Sequence, residues 1–285
     1  MGTIEYHTFE YTWARAVANL RSAYTVSLTP WRVTGVGIAG TTLLARGTCE
    51  SNCVVEQAPP VRQPLAMNVE TTAGLNMLAT TTGRGASGDV WARMNLQFDT
   101  PGGAPVTTRD VRSLGLRCDN ALPGNNTSPG CVFSGSRPIL VLHYNDPSAG
   151  WNALNVGWSI YTGLPAELTR LLNPADSKGN GDRACPSGGA YPRPVGYECD
   201  EYPFRSTQEG AKTSGTPFAP RTFSFCQLND TWPNTPVVST DVGPLGWSRC
   251  NIPGPDNQAG GQILSKFYID QRVLSGEKFL VVPTD

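Results

Sequence analysis

Eight cysteines, at positions 49, 53, 118, 131, 185, 199, 226 and 250, constrain this 285-residue chain more than any other feature. An even set of thiols this large reads as disulfides formed in an oxidising compartment, because reduced cytosolic proteins seldom keep so many. Spacing does not determine connectivity. Pairing of sequential neighbours is the expectation: Cys49–Cys53, Cys118–Cys131, Cys185–Cys199 and Cys226–Cys250. The rival is a structural zinc site, for which only Cys49-x-x-x-Cys53 has knuckle spacing.

Cysteine usage therefore predicts a secreted, extracellular protein. No charged-then-apolar signal segment opens the chain, so export implies a removed leader, or a Met1 that begins a fragment of a longer protein. No apolar run approaches the roughly 18 to 20 residues of a membrane span. With 31 glycines, 24 prolines and only 16% charged residues, many turns, short strands and few long helices are expected. Hydrophobic residues at 39% exclude wholesale disorder. A net charge of −1 and a pI near 6.1 exclude a protein that grips nucleic acid by a broad basic surface. Phosphate chemistry here needs local Arg/Lys clusters or a bound cation.

Trp13, Val17, Leu20 and Tyr24 fall at helical spacing and predict a helix over Glu10 to Tyr24. Beyond it the period changes to two. Ala92-Arg93-Met94-Asn95-Leu96-Gln97-Phe98 alternates apolar and polar, a half-buried antiparallel strand. Thr25–Val33, Gly37–Ala45, Pro64–Thr71 and Leu75–Thr82 are weaker strands. Residues 1–112 read as a β-rich, sandwich-like module, with His7 in solvent at its start. Residues 113–285 read as a compact, disulfide-stapled α+β domain. In it, Ile139–Tyr144 is expected to be a buried strand with His143 as a core histidine. Pro165–Leu172 predicts a short helix, Asn173–Tyr197 a loop, Ile263–Gln271 a helix with one apolar stripe, and Phe279–Val282 a closing strand.

Two acidic clusters carry the candidate chemistry. In Cys199-Asp200-Glu201-Tyr202-Pro203-Phe204, adjacent carboxylates repel if both enter one dry pocket, unless a divalent cation joins them or they point to opposite faces. A strand gives the second arrangement, and a disulfide at Cys199 would hold it rigid. With Glu209 and Asp256 or Asn257, such a carboxylate makes an oxygen-rich site suited to Mg²⁺ or Mn²⁺. The other reading of Asp256-Asn257 is a cap for the following helix, with Gly260-Gly261 allowing close packing.

The phrase Cys199 to Ala211 (Cys-Asp-Glu-Tyr-Pro-Phe-Arg-Ser-Thr-Gln-Glu-Gly-Ala) resembles the signature of the NucA/NucB family of secreted deoxyribonucleases. The likeness continues through Arg221 to Gln227, Asp256-Asn257 with Gly260-Gly261, Phe267-Tyr268 and Arg272-Val273-Leu274. Upstream, Arg117 to Gly124 is similar to the opening of actinobacterial versions, so the resemblance spans about 116–283. It implies a compact α+β fold and metal-dependent, largely sequence-nonspecific endonucleolytic cleavage of DNA. Carried over, it implies Asp200, Glu201, Glu209 and Asn257 as catalytic positions, and Asp200, Glu201 and Asp256 as ligands of Mg²⁺ or Mn²⁺. Two positions depart from the family pattern. Leu171 stands where a histidine is common, and Gln258 where an arginine follows Asp-Asn. Three readings stay open: an active endonuclease; a nuclease-like module that does not cut, in an extracellular assembly with residues 1–112 as its attachment surface; or a nuclease delivered to a cell wall or matrix by residues 1–112 as a carbohydrate-binding β-sandwich. Carbohydrate binding by that first module would need exposed aromatics, for which Trp13, Trp31 and Trp91 are the candidates.

Overall fold

The computed structural model describes residues 3–16, 19–34, 39–60, 62–81, 83–103, 105–107, 110–124, 128–187, 191–215, 218–226 and 241–285. Among these the chain is α+β, rich in strands and carrying three α-helices. It divides into two compact units, Met1–Ser136 and Arg137–Asp285.

The first unit contains β1 (Thr3–Ala14), β2 (Arg21–Thr34), β3 (Thr42–Glu50), β4 (Cys53–Gln57), β5 (Gln63–Pro64), β6 (Thr71–Ala79), β7 (Ser87–Asp99), β8 (Val106–Thr107), β9 (Val111–Arg112), β10 (Leu116–Asp119) and β11 (Gly130–Phe133). One sheet runs β1-β2-β6-β4. The other runs β11-β10-β7-β3-β5, with β8 and β9 also paired to β7. Tyr24, Val26 and Leu28 of β2, Leu75 and Met77 of β6, and Val90, Met94 and Leu96 of β7 share one buried core, as alternation on two facing sheets requires.

The expected helix over 10–24 does not form among the described residues. β1 and β2 occupy that stretch as an antiparallel pair, with Trp13 opposite Ala23 and Glu10 opposite Val26. Val17 lies outside the described residues. The helical spacing was fortuitous: Tyr11, Thr12, Trp13, Tyr24, Thr25 and Val26 are aromatic or β-branched, and pleated pairing buries Tyr24 as a helix there would not. His7 is exposed, as expected, though it lies in β1 and stacks on Trp31. Of the weaker strands, 25–33 falls in β2 and 75–79 of the expected 75–82 in β6, with Thr82 outside the described residues. The described part of 37–45 overlaps β3, and 64–71 is strand only at its ends. Gly37 itself lies outside the described residues.

A boundary at 112/113 also does not hold. Leu116 pairs with both Val90 of β7 and Phe133 of β11, so residues 113–136 complete the sheet of the first unit. Sheet hydrogen bonds between residues far apart in sequence decided this, and composition does not register them.

All four disulfides join sequential neighbours, two in each unit, with Cα–Cα separations of 4.0–6.0 Å. No described cysteine is free, which removes the zinc reading of Cys49 and Cys53.

The second unit contains β12 (Ile139–His143), α1 (Gly150–Tyr161), β13 (Glu167–Thr169), α2 (Pro174–Ala184), β14 (Tyr197–Tyr202), β15 (Ser248–Pro253), α3 (Gly254–Asp270) and β16 (Lys278–Thr284). Strands β12-β16-β13 form one sheet, parallel then antiparallel. β14 and β15 form an antiparallel ribbon. Leu140 and Leu142, Ala153 and Val156, Leu168, Phe267, Tyr268, Phe279 and Val281 build its main core.

Three expectations fail here. β12 is half-buried, alternating exposed and buried side chains, and His143 is exposed, its Nδ1 3.1 Å from the Asp285 carbonyl oxygen. Residues 167–169 pair with β16 as a strand, because Leu168 then enters the core opposite Phe279. Within 173–197, expected to be loop, residues 174–184 form α2. Asn173 caps α2 by accepting from Ala175 N–H at 3.0 Å, and Pro174 begins the helix. Gly179 and Gly181 obscured this helix in the sequence. A Cβ at Gly179 would come within 2.5 Å of the Lys212 side chain. Asn180 between them is buried and anchors the helix, accepting from Lys212 N–H at 2.8 Å and Thr213 N–H at 2.9 Å.

Candidate functional site

β14 begins where Gly196, at φ +85°, turns the chain. It alternates as a strand must: Glu198, Asp200 and Tyr202 project to one side, Tyr197, Cys199 and Glu201 to the other. Cys185–Cys199 ties the strand to the end of α2, and Cys226–Cys250 ties its partner β15 to the turn at Ser224–Cys226. The candidate carboxylates therefore sit on a strand cross-linked to its surroundings.

Asp200 is fully buried. Its Oδ2 accepts from Asn152 Nδ2 at 3.1 Å and Asn155 Nδ2 at 2.9 Å, both on α1. Burial is the main influence on its acidity, and the neighbouring Glu201 carboxylate adds to it. The two amide donors oppose both, and the net effect raises the pKa to about 7. Glu201 is pushed up by its own burial, against the attraction of Arg205 and Arg193. Asn155 Oδ1 is buried with no hydrogen-bond partner, an acceptor beside a carboxylate whose own partners are amides.

Asp200 and Glu201 line a cleft of about 730 Å³ between α2 and α3. Arg193 and Arg205 bring positive charge to it, Lys178 and Asp182 of α2 line it as an ion pair 2.5 Å apart, and Asn152, Asn257, Gly260 and Gly261 complete the acidic end. Gly260 is there for closeness: a Cβ would meet Asn152 Cγ at 2.4 Å and push it off Asp200. Gly261 faces open space.

The other candidates go elsewhere. Glu209 does not line the cleft; its Oε2 accepts from Thr169 N–H at 2.9 Å, joining β13 to the 205–213 loop. Its neighbour Gly210 makes room for Asn180, which a Cβ would approach to 2.3 Å. Asp256 lies in the first turn of α3, which begins nine residues before the expected Ile263. It does not cap its own helix. Its Oδ2 accepts from Trp151 N–H at 3.1 Å, at the N-terminus of α1. Asn257 does line the cleft, and its Nδ2 donates to Glu198 Oε2 at 2.8 Å. Gln258 donates to the other oxygen of the same carboxylate, also at 2.8 Å. Leu171 donates its backbone N–H to Ser206 O at 2.8 Å and does not line the cleft. Arg221, inside the quoted motif, donates to the carbonyls of Thr162, Gly243 and Leu245, so it holds a loop.

Among the described residues, no group of three or more His, Cys, Asp and Glu side chains could hold a metal. What the cleft offers is the buried Asp200 carboxylate with its amide partners, and the Glu201 carboxylate from the other face of the same strand. That set fits Mg²⁺ or Mn²⁺ bound through one or two carboxylates with water completing the shell, and does not fit an all-protein cage. Sequence reasoning missed Asn152, Asn155, Glu198, Arg193 and Arg205. Only Glu198 had a legible signal, since it shares a strand face with Asp200.

Residues 169–282 match the family model described as Deoxyribonuclease NucA/NucB. No curated protein matches the chain. The match begins at Thr169 and lies inside the second unit, so the Arg117–Gly124 phrase falls outside it.

Proposed function

We propose, on the premise that the second unit carries a NucA/NucB deoxyribonuclease domain, that this unit is an exported endonuclease cutting DNA phosphodiester bonds with Mg²⁺ or Mn²⁺. The observation that carries the reading is the buried Asp200 carboxylate, fixed by Asn152 and Asn155 beside Glu201 in a cleft with Arg193 and Arg205.

Asp200 and Glu201 would hold the cation, with Asn257 orienting a ligand water or a phosphate oxygen. Such a cation polarises the phosphodiester and lowers the pKa of attacking water. Asn152 and Asn155 fix the Asp200 carboxylate in one orientation, and the Cys185–Cys199 bridge restrains the strand that presents it. Arg193 and Arg205 attract the phosphate backbone, which carries no base information, so cleavage is largely independent of sequence. Four disulfides support export. Glu209 and Asp256, engaged with backbone N–H groups, have no part in the proposed chemistry.

A second reading, a nuclease-like module that does not cut, is favoured by one observation. Neither histidine of the chain lines the cleft, so an imidazole base is missing there. Incubating the purified protein with plasmid in Mg²⁺, Mn²⁺ or EDTA separates the two. Nicking in either metal, absent in EDTA and lost in Asp200→Asn and Glu201→Gln, is expected. Intact plasmid in all three conditions overturns the enzyme in favour of the module.

A further inference from the structure

The outer face of the β1-β2-β6-β4 sheet carries a row of aromatic side chains that the nuclease reading does not use. Phe9, Tyr11 and Trp13 occupy alternate positions of β1 and are 69%, 57% and 47% exposed. Their cross-strand partners on β2 are Ser27, Thr25 and Ala23, which share their face. The inward set on β2, Tyr24, Val26 and Leu28, is fully buried in the core, so the aromatic row points away from it. His7 continues the row and stacks on the half-exposed Trp31, ring centroids 5.7 Å apart. From His7 to Trp13 the row extends about 20 Å along the strand.

Beside it the face is low and polar. Next to Thr25, β6 contributes Gly74, with no side chain at all. Across from that dip, Asn76 donates to Gln57 Oε1 at 2.8 Å. The result is a strip of rings on one strand, a floor of hydroxyl groups and one glycine, and an amide pair on the far side.

Charge decides what such a strip suits. Arg21 pairs with Glu56 at 2.7 Å and Arg32 with Glu5 at 3.6 Å. Glu70 accepts from Ser27 Oγ, and Arg15 stacks over Trp13 at 5.4 Å. Three positive and three negative groups border the face, so it offers no net charge to a phosphate backbone or an acidic peptide. An uncharged ligand that is apolar on its flat side and hydroxylated at its rim matches it. The axial C–H groups of a pyranose present a slightly positive apolar surface to the negative face of an aromatic ring. Its hydroxyls find partners in Thr25, Asn76 and Gln57.

From this match we infer that the first unit binds a neutral, β-linked polysaccharide along the strip made by Phe9, Tyr11 and Trp13. The inference stands apart from the nuclease reading: it concerns another unit and needs no catalysis.

The test uses the full chain, depleted from solution by insoluble chitin or by microcrystalline cellulose, in EDTA and at 0.5 M NaCl to remove electrostatic adsorption. Saturable binding to either solid is expected. Tyr11→Ala and Trp13→Ala should each weaken it roughly fivefold or more, while far-ultraviolet circular dichroism and the melting temperature stay near wild type. Val195→Ala, an exposed position in the second unit, should bind as wild type does. The inference is overturned if neither polysaccharide retains the protein, or if both aromatic variants bind unchanged. It is also overturned if light scattering finds a dimer that these substitutions dissociate, since a second copy would then own the face.

Discussion

Asn155 on α1 reaches across 2.9 Å to donate its side-chain N–H to Oδ2 of Asp200 on β14, and Asn152, one turn earlier, donates to the same oxygen. A buried acid is thus held by neutral donors. That arrangement positions a carboxylate without neutralising it, which leaves the charge for something else to balance.

The pH dependence of stability follows. Burial first, then Glu201, raises the Asp200 pKa from an ordinary carboxylate value to about 7 in the folded protein. The folded state therefore holds this proton more tightly than the unfolded one. The stabilisation is complete below about pH 4, is lost progressively as pH rises to 7, and changes little above that. In EDTA, Asp200→Asn should flatten this dependence and stabilise the protein at pH 8 by up to about 4 kcal/mol. Urea denaturation at pH 4, 5, 6, 7 and 8 measures it. The same change in stability between pH 4 and 7 in wild type and variant contradicts the assignment.

Gly260→Ala should abolish most nuclease activity while costing about 1–3 kcal/mol of stability. The new methyl group collides with Asn152, one of the two groups that orient Asp200. Gly261→Ala, next door with nothing within 4 Å of the added methyl, leaves Asn152 in place; it should keep far more activity than Gly260→Ala and gain up to about 1 kcal/mol from helix propensity. Equal activity in the two variants would mean that Asn152 does not position the acid.

Asp256→Ala separates a structural acid from a metal ligand. Losing the acceptor for Trp151 N–H should cost about 1 kcal/mol, with no change in the Mg²⁺ concentration giving half-maximal cleavage. A shift of tenfold or more in that concentration, without loss of stability, would return Asp256 to the metal site.

Replacing Cys185 and Cys199 together with serine should cost about 3 kcal/mol, the chain-entropy value for a loop of this length. Cleavage should fall further than the unfolded fraction explains, because the bridge restrains the strand that presents Asp200 and Glu201. Cleavage tracking the folded fraction alone would make the bridge purely stabilising.

What the amino-acid order alone made legible is local. Pairing of sequential cysteines anticipated all four bridges, although spacing leaves connectivity open, and two-residue alternation anticipated parts of β2, β6 and β7. The phrase around Asp200 named the strand, its rigid tether and the family. The polar helix α2 escaped because its glycines lower helix propensity, and the burial of Asn180 that compensates involves loop residues 205–213. The β1-β2 pair escaped because helical spacing and strand alternation both fit a short aromatic segment.

Tertiary structure decided which acids work together. Glu209 and Asp256 look equivalent to Asp200 in the sequence, yet each accepts a backbone N–H from another element, while Asp200 faces two asparagines and a cleft. A carboxylate's role depends on the donors and the dielectric around it. Those are set by contacts across 40 to 105 residues of chain, which no local pattern encodes.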